Sequence, residues 1–510
     1  MDRSTPSAEQ DMARHTSPWW WFALVLAGTV VRFFFGLKYE LWNGAADQLA
    51  WGIGLDDLMA HPGVAYKQLI HYPHEGGTLP LSLLSMLLRP LSGIMPALSW
   101  ASLLVDALSR FLSIRVAQRL FGDRTAWWFA GWTVLAAPLM LPWATIDCGL
   151  HALISFAPIV LVGLSSRPDA SPWTVGLACG LFACLAYDVW VFAPAFVVWW
   201  LLHENAVMDR LKGVLRFAAG CAIGFLPHIV LRLFADNGFG LEDPSFFSVR
   251  GLEKAPFDPL VIPERWWTVW VFNLPGSFQL DAQIDPTARR ISLLVLAFIL
   301  AGIVGALLRR GAVRPTLRLL LLVVFSFTFI LAAGPFFSYV PEGRGYLYNR
   351  YFPFIAPLLV LGMIAGFEAF RSAGPWLRGM WMAGCAAGAL EYMATMQHYS
   401  SPNDPAIGWV IGRKYGDDPD RLMRLLNVVP VPRRKDVLYG YGWGIAASLF
   451  DGADINDRQL LDRFDAVWRG FPESVRPRVA EGVIRAFEPG ITPDLDDALG
   501  AQLAERMRLK

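Results

Sequence analysis

The feature that most constrains this chain is a series of apolar segments of membrane-spanning length, which recur from Trp19 to about His398. An apolar helix needs about 20 residues to cross the hydrocarbon core of a bilayer. Because 55% of the 510 residues are hydrophobic and only 17% are charged, the composition indicates an integral membrane protein. The segment 19–37 lacks a small-residue cleavage site, so we interpret it as a retained first span and not as a signal peptide.

The hydropathy pattern predicts an all-α, polytopic membrane helical bundle of about eleven spans. The predicted spans are 19–37, 97–119, 125–143, 149–165, 172–187, 189–202, 213–235, 291–308, 316–334, 351–370 and 376–395. Asp188 separates two of them, and a charge at the bilayer centre costs about 2.5–3.5 kcal/mol. We therefore predict a hairpin that brings Asp188 to the membrane surface, instead of one long span.

The positions of Lys and Arg predict the orientation of these spans. With the 1–18 tail in the cytoplasm, alternate loops are short and mostly basic. Those loops carry Arg119, Arg124, Arg167, Arg210, Lys212, Arg216, Arg309, Arg310, Arg314, Arg318, Arg371 and Arg378. The assignment requires that 78–95 does not cross the membrane. We therefore predict a helix there that lies in the interface or re-enters, broken by Pro90.

The predicted extracytoplasmic mass falls in three long regions, 38–96, 236–290 and 396–510. In the last region charge rises and apolar residues fall at helical spacing, which predicts a small soluble helical domain. This domain either packs on the membrane part or binds an acceptor. Two of its segments, Leu438–Phe450 and Val475–Glu488, look related and form a faint internal repeat.

The predicted topology brings charged residues from distant segments to one extracytoplasmic surface. They are Asp47, Asp56, Asp57, His71, His74 and Glu75 of the first loop, Asp147 and His151 after the third span, Asp188 after the fifth, and Glu342, Arg344 and Arg350 before the tenth. An arginine can hold an anionic lipid-linked phosphate bidentately, while a carboxylate takes a proton from an acceptor. The cluster therefore predicts a substrate site at the mouth of the bundle.

Each candidate also has a structural explanation. Asp47 suits the solvated face of an amphipathic helix, and Asp147 suits a helix cap. Asp106 and Arg110 lie one turn apart inside the second predicted span. We expect these two charges to neutralise each other, with contact to a lipid phosphate as the alternative.

The sequence predicts no cofactor with certainty. His71 and His74 are spaced so that a divalent cation could bind with Glu75 and Asp47, but no zinc-type ligand pattern supports a metal site. The five cysteines are scattered through apolar segments, where small buried packing residues are expected. A net charge of +1 gives no indication of a nucleic-acid partner.

Three stretches of the chain carry a family pattern. YPHEGGTLPLSLLSMLL (72–88) follows a long outer loop that opens with an acid, and RVAQRLFGDRTAWWFAGWTVLAAPLML (115–141) contains an RLFG-x-R turn. YNRYFPFIAPLLVL (Tyr348–Leu361) is similar to an RYxxPxxP motif at the start of a late span. Together they resemble the GT-C superfamily of membrane glycosyltransferases, in particular its bacterial members related to protein mannosyltransferases and to the aminoarabinose transferase of lipid A. The likeness covers the predicted transmembrane domain, 19–395.

The resemblance implies an enzyme that moves a sugar from a polyprenyl-phosphate donor to an acceptor on the extracytoplasmic side. It implies two catalytic acids, which map to Asp47 and Asp147, and a donor phosphate bound by Arg350. The other candidate substrate-binding residues are Arg344, His74, Glu75, His151 and Asp188. The family commonly has Asp-Glu where this chain has Asp47-Gln48, which weakens any metal site there and leaves Asp56 and Asp57 as alternative bases.

The implied location is the bacterial inner (cell) membrane, with a cytoplasmic N-terminus and an extracytoplasmic C-terminal domain. The implied partners are a polyprenyl-phosphate-linked sugar, membrane lipid and an acceptor that the sequence does not identify. Three other classes compete with this prediction. A transporter or flippase would be expected to show two similar halves. An O-antigen ligase or polymerase would depend on arginines of the 236–290 loop, and a scaffold would need no charged cluster.

Overall fold

Helices make up the secondary structure of the part of the chain that the structure describes. The computed structural model describes residues 17–38, 52–53, 55–56, 59–60, 78–135, 151–185, 187–203, 206–233, 259–274, 286–333, 354–370, 372–395, 404–416, 418–450, 458–488 and 497–509. No strand is present among these residues. They divide into unit 1, which comprises Met1–Leu41, Ile70–Leu84 and Ser99–Gln397, and unit 2, which comprises Trp42–Leu69, Ser85–Leu98 and His398–Lys510.

A helix lies in each of the eleven ranges that hydropathy predicted to be spans. The helices before residue 396 are α1 (Pro18–Lys38), α2 (Thr78–Ser92), α3 (Ile94–Phe121), α4 (Asp123–Leu135), α5 (His151–Ser165), α6 (Pro172–Leu185), α7 (Ala193–His203), α8 (Val207–Leu233), α9 (Ile262–Thr268), α10 (Pro286–Leu308), α11 (Arg314–Ala333), α12 (Ala356–Gly366) and α13 (Ala373–Thr395). Short 3-10 helices follow α6 at Tyr187–Phe192 and α12 at Phe367–Phe370.

Four of the described helices are long and apolar enough to cross a membrane by length and composition. They are Pro18–Lys38, Pro96–Phe121, Val207–Val230 and Arg314–Ala333. The prediction of an all-helical fold is confirmed for the described residues, and four of their helices are suited to cross a membrane. The number of eleven spans stays a prediction.

Helix α2 differs from the predicted helix at its C-terminal end. It continues through Pro90 and ends at Ser92, so the predicted break at Pro90 is wrong. In the last turn a proline removes one intrahelical hydrogen bond without stopping the helix. The chain breaks instead at Gly93, whose φ of +82° is a left-handed conformation that glycine adopts without a Cβ penalty. The Gly93 N–H donates to the Arg89 carbonyl at 2.9 Å and closes the helix.

Helices α6 and α8 pack with their backbones in direct contact. A Cβ added at Gly176 or Gly180 of α6 would collide with carbonyl oxygens of α8, and one at Gly220 or Gly224 of α8 would collide with those of α6. Each helix thus carries a G-x-x-x-G pair, the spacing that allows close approach between helices in membranes. The contacts advance together along both helices, so α6 and α8 run parallel.

Parallel packing of α6 and α8 requires the chain to reverse twice between them. Helix α7 provides the return path and packs against α8. The first reversal includes the 3-10 helix Tyr187–Phe192, which contains Asp188. This is the geometry that the predicted hairpin at Asp188 requires.

Contacts among α1, α3 and α4 show which helix ends lie together at each end of unit 1. Trp21 of α1 donates through Nε1 to Gln118 Oε1 at 3.1 Å, and its ring centroid lies 4.8 Å from that of Trp127. The start of α1 therefore lies beside the end of α3 and the start of α4. We call this end of unit 1, which also holds Arg124, Arg309 and Arg378, the basic end, and the opposite end the loop end.

Unit 2 is built from α14 (Asp404–Tyr415), α15 (Pro419–Leu426), α16 (Val431–Phe450), α17 (Arg458–Gly470), α18 (Arg476–Ala486) and α19 (Asp497–Leu509). Glycines again hold the longer helices together. Gly408 and Gly412 of α14 face the backbone of α16, and Gly442 of α16 faces that of α18. Gly440 of α16 and Gly482 of α18 each face the backbone of the preceding long helix. The contact between α14 and α16 thus recurs between α16 and α18, so α14 packs in the same way as the two segments of the predicted repeat.

The core of unit 2 includes residues from the predicted first loop. Ile53 and Leu55 pack with Leu98 and with aliphatic and aromatic residues of α14 to α19 in one hydrophobic cluster. Tyr441 of α16 is completely buried at its centre. Short pieces of 42–69 and 85–98 are therefore part of the same compact unit as the C-terminal helices.

Candidate functional site

Most of the residues predicted to form the substrate site lie outside the described part of the chain. These are Asp47, Asp147, Arg344, Arg350, His74 and Glu75. The two exceptions are His151, the first residue of α5, and Asp188, which lies in the 3-10 helix Tyr187–Phe192. For these two residues the structure describes the backbone.

The backbones of His151 and Asp188 lie at the loop end of unit 1. A Cβ on Gly163, near the end of α5, would lie 2.6 Å from Val116 Cγ1, near the end of α3, so α5 ends at the basic end. Helix α6 then starts at the basic end and finishes at the loop end. The 3-10 helix that holds Asp188 contacts both α5 and α6.

The described helices that border the other predicted site segments also finish at the loop end. Helix α1 ends there at Lys38, before the segment that contains Asp47. Helix α4 runs parallel to α1, because Arg32 Nη2 donates to the Thr133 carbonyl at 2.9 Å, so α4 also ends there. Helix α10 ends at the basic end just before Arg309, and α11 runs back to Ala333 at the loop end.

Asp56, an alternative catalytic base in the sequence analysis, has a structural partner. Its Oδ1 lies 2.9 Å from Nη2 of Arg89 on α2, within unit 2. Both side chains are partly exposed, so the ion pair contributes about 0–1 kcal/mol to stability. Because this carboxylate already holds an arginine, Asp56 is a weaker candidate for a proton acceptor than Asp47. Asp57 lies outside the described residues.

A buried charged cluster joins α1, α3 and α4 in unit 1. Arg110 Nε donates to Asp106 Oδ2 at 2.7 Å, and Arg32 Nε lies 3.3 Å from the same oxygen. All three side chains are at most 3% exposed. We call these residues the Asp106 cluster. The cluster carries two positive charges and one negative charge, so the expected mutual neutralisation of Asp106 and Arg110 is incomplete.

Backbone and hydroxyl oxygens satisfy most of the remaining donors in the Asp106 cluster. Arg110 donates to the Val25 carbonyl at 3.1 Å and to Thr29 Oγ1 at 2.7 Å. Arg32 donates to the Gly28 carbonyl at 3.0 Å, one turn earlier in α1. Buried charges are tolerated when they are paired and hydrogen-bonded, and here both arginines share Asp106 while these oxygens accept from their Nη groups. The cluster therefore fixes the packing of α1 against α3 and α4.

A second charged cluster lies at the basic end and centres on Glu368. Arg309 Nη2 lies 3.2 Å from Glu368 Oε2, and Arg378 Nη2 lies 3.1 Å from Oε1. The Thr125 hydroxyl donates to Oε1 at 3.0 Å. These residues belong to the start of α4, the end of α10, the 3-10 helix after α12 and the start of α13. One carboxylate thus ties together the α3–α4, α10–α11 and α12–α13 connections at this end.

A cavity of about 360 Å³ opens beside Glu368. It is lined by Arg124, Arg309, Glu368, Gly374, Pro375 and Arg378. Arg378 is 1% exposed, whereas Arg124 is exposed at the rim. Three guanidinium groups and one carboxylate leave two net positive charges around the cavity, which we call the Glu368 cavity.

The sequence pattern does not predict that Arg32 or Glu368 belongs to a charged cluster. For Arg32 a signal was available, because an arginine inside the first predicted span needs a partner within the bundle. Glu368 gave a weaker signal, because it lies near the end of a predicted span and close to Arg371 and Arg378 in sequence. Only the packing of α4, α10 and α13 around it shows that three helices share its carboxylate.

Among the described residues, no three His, Cys, Asp or Glu side chains come close enough together to hold a metal ion. The residues for which the sequence permits a divalent cation lie outside that part of the chain. The four described cysteines, Cys179, Cys184, Cys221 and Cys385, form no disulfide, and three of them are buried.

No family model, no curated protein and no solved structure matches the chain.

Proposed function

We propose that this protein is a membrane glycosyltransferase that moves a sugar from a polyprenyl-phosphate donor to an acceptor on the extracytoplasmic side. The observation that carries the proposal is the direction of the helices in unit 1. The helix ends that border the segments with Asp47, Asp147 and the two arginines of 334–353 all lie at the loop end. His151 and Asp188 lie at that end as well. The described helices therefore lead to these segments from one end of unit 1, and this shared end supports the proposal.

The chemistry requires a base near the acceptor and positive charge near the leaving group. In the proposed reaction Asp47 takes the proton of an acceptor hydroxyl while the hydroxyl oxygen bonds to the anomeric carbon of the donor sugar. The bond from that carbon to the phosphate oxygen breaks at the same time, and the configuration inverts. Arg350, with Arg344, stabilises the negative charge that the polyprenyl phosphate gains.

Five further residues complete the proposed site. Asp147 serves as the second acid, and His74 and Glu75 contact the sugar from the first loop. His151 and Asp188 contact the substrate from the start of α5 and from the turn after α6. These roles come from the resemblance and from the predicted topology, and each is testable by substitution.

A lipid-linked donor must reach the site from the membrane, and α2 has a surface suited to that contact. Leu83, Leu87 and Leu91 are 53%, 76% and 73% exposed and follow one another at intervals of four residues. On a helix this spacing places all three on the same face. Because α2 follows the first loop directly, this apolar face supports a helix at the membrane surface beside the path of a polyprenyl chain.

The test uses full-length protein reconstituted in liposomes with a panel of polyprenyl-phosphate hexoses and pentoses. A crude membrane extract supplies acceptors, and mass spectrometry measures the free polyprenyl phosphate that is released, whichever acceptor takes the sugar. A general base typically contributes about 100-fold to 10,000-fold, so Asp47→Asn should lower the rate by at least about 100-fold. Asp56→Asn is the matched control and should retain transfer, since Asp56 is engaged by Arg89.

Two outcomes would contradict the proposal. One is that the unaltered protein releases no polyprenyl phosphate from any donor in the panel. The other is that Asp47→Asn and Asp56→Asn transfer sugar equally well. Vectorial movement of the donor across the bilayer without its cleavage would favour the flippase alternative.

A further inference from the structure

The Glu368 cavity has more positive charge than its structural role requires. One carboxylate is sufficient to neutralise one arginine, but Arg309, Arg378 and Arg124 all line the same cavity. Glu368 pairs with two of them, through the contacts of 3.2 Å and 3.1 Å described above. Arg124 approaches from the start of α4 and adds a third guanidinium. An anion in the cavity would balance the two remaining charges.

One nitrogen atom in this cluster, Arg309 Nε, is buried without a hydrogen-bond partner among the described residues. Arg378 Nη2 is engaged by Glu368 Oε1 at 3.1 Å. A buried donor without a partner costs about 1–3 kcal/mol, and more when it is charged. Arg378 is held in place by a bond of 3.2 Å from its Nε to the Ile364 carbonyl, so its position is fixed before any ligand binds. The cavity therefore presents guanidinium groups that are already held in position, and one of their buried N–H groups has no partner.

The surroundings of the cavity indicate that its ligand is an amphiphile. Leu308 directly precedes Arg309 and is 61% exposed, and Trp376 directly follows Pro375 and is 77% exposed. Met380, half a turn beyond Arg378, is also exposed. Apolar side chains thus point outward next to partly exposed Arg309, just after α10, and next to buried Arg378 on α13. A molecule with a phosphate head and an acyl tail satisfies both surfaces.

We propose that the Glu368 cavity binds a phosphate group, and that this phosphate is the head of an anionic membrane lipid. Guanidinium groups match phosphate oxygens geometrically, and basic pockets between helices at the cytoplasmic surface suit anionic lipid heads. The charge pattern of the sequence assigns the basic end to the cytoplasmic side. The site is separate from the proposed sugar-transfer site, which draws on the loop end, and it does not depend on that function.

The experiment measures binding to full-length protein in a neutral detergent. Short-chain phosphatidylglycerol is the probe, short-chain phosphatidylcholine tests the need for net negative charge, and inorganic phosphate tests the need for the lipid tail. Native mass spectrometry counts the bound molecules, and the shift of the unfolding temperature gives the apparent affinity. The key variant is Arg124→Gln with Arg309→Gln, which removes two cavity arginines and retains buried Arg378.

A matched variant, Arg310→Gln with Arg318→Gln, removes the same charge from exposed positions outside the cavity. We expect phosphatidylglycerol to bind the unaltered protein in preference to both other probes. We expect the cavity variant to bind it about tenfold more weakly or worse, and the matched variant to bind nearly as well as the unaltered protein. Circular dichroism and gel filtration confirm that both variants fold.

Three results would overturn the proposal. Equal weakening by both variants would show a diffuse surface attraction instead of a site. Equal affinity for inorganic phosphate and for phosphatidylglycerol would show that the ligand is free phosphate and not lipid. Absence of binding by any probe would show that the cavity arginines serve only to hold the helices together.

Discussion

Arg32 on α1 reaches Asp106 on α3, with Nε 3.3 Å from Oδ2, inside a layer of helices where both side chains are almost completely buried. Arg110 shares the same oxygen at 2.7 Å. A carboxylate that serves two buried arginines cannot be lost without leaving both uncompensated. This dependence makes Asp106 the residue of unit 1 at which a single substitution has the clearest structural consequence.

We expect Asp106→Asn to destabilise the protein by about 3–5 kcal/mol, because it breaks a buried ion pair and leaves two cations in a dry environment. Unfolding of the full-length protein in detergent by denaturant, followed by tryptophan fluorescence, measures the change. Asp106→Asn combined with Arg32→Met returns the buried charge to its original value. This double variant should regain part of the lost stability, and no recovery would show that the charge balance is not the cause.

The glycine contacts between α6 and α8 predict that the stability effect of a glycine-to-alanine substitution depends strongly on its position in α8. Gly220→Ala places a methyl group against the backbone of α6 and should destabilise unit 1 by about 1–3 kcal/mol through overpacking. Gly213→Ala on the same helix is the control. A Cβ there meets nothing closer than 3.7 Å, so alanine should be neutral or slightly stabilising. Thermal unfolding of the two variants side by side tests the prediction, and equal effects would contradict the close contact.

In unit 2 the ion pair between Asp404 and Arg433 joins the first turns of α14 and α16. Arg433 Nε donates to Asp404 Oδ2 at 2.7 Å, and Asp404 is 2% exposed. We expect Asp404→Asn to cost about 3 kcal/mol, since a buried partner is removed. Glu481→Gln, which breaks the exposed pair with Arg478, should change stability by less than about 1 kcal/mol.

Limited proteolysis of the full-length protein gives a local readout for these two substitutions. Faster cleavage in 404–509 is expected for Asp404→Asn and not for Glu481→Gln. If both variants resist the protease equally, the buried pair does not control the opening of unit 2.

Cysteine labelling tests the predicted orientation. Ala312 and Asp169 are exposed in the α10–α11 and α5–α6 turns of the basic end. In a variant without native cysteines, Ala312→Cys and Asp169→Cys should react from the cytoplasmic side, and Ser401→Cys from the outside. Ala312 is preferred to its neighbour Gly311, whose φ of +84° disfavours any side chain. Labelling of all three positions from one side would overturn the loop assignment.

The helices of unit 1 were predictable from sequence because burial in a bilayer demands long apolar runs, and each predicted range contains a helix. The end of α2 was not predictable from Pro90, since a proline in the last turn is tolerated and the left-handed Gly93 decides the break. The partners of Asp106 and Glu368 were not predictable either. They depend on which helix faces lie against each other, and hydropathy carries no information on that rotation.

The repeat in unit 2 differs from these contacts, because the sequence does contain a sign of it. That sign is too weak to identify the repeat without the structure. Two segments suggested related helices, but α14 shares with them mainly the glycine that permits backbone contact. A single recurring glycine is weak evidence until the parallel packing of α14 and α16 gives it a physical reason. The predicted substrate residues remain predictions, because six of the eight lie outside the described part of the chain.

The glycine faces of α6 and α8 also restrict how this protein can move. Two backbones that touch without intervening side chains have no rotamers to rearrange, so sliding one past the other would force atoms into each other. We therefore expect α6 and α8 to move together as one rigid element. In the proposed function, the admission of a bulky lipid-linked donor would therefore require other elements of unit 1 to move.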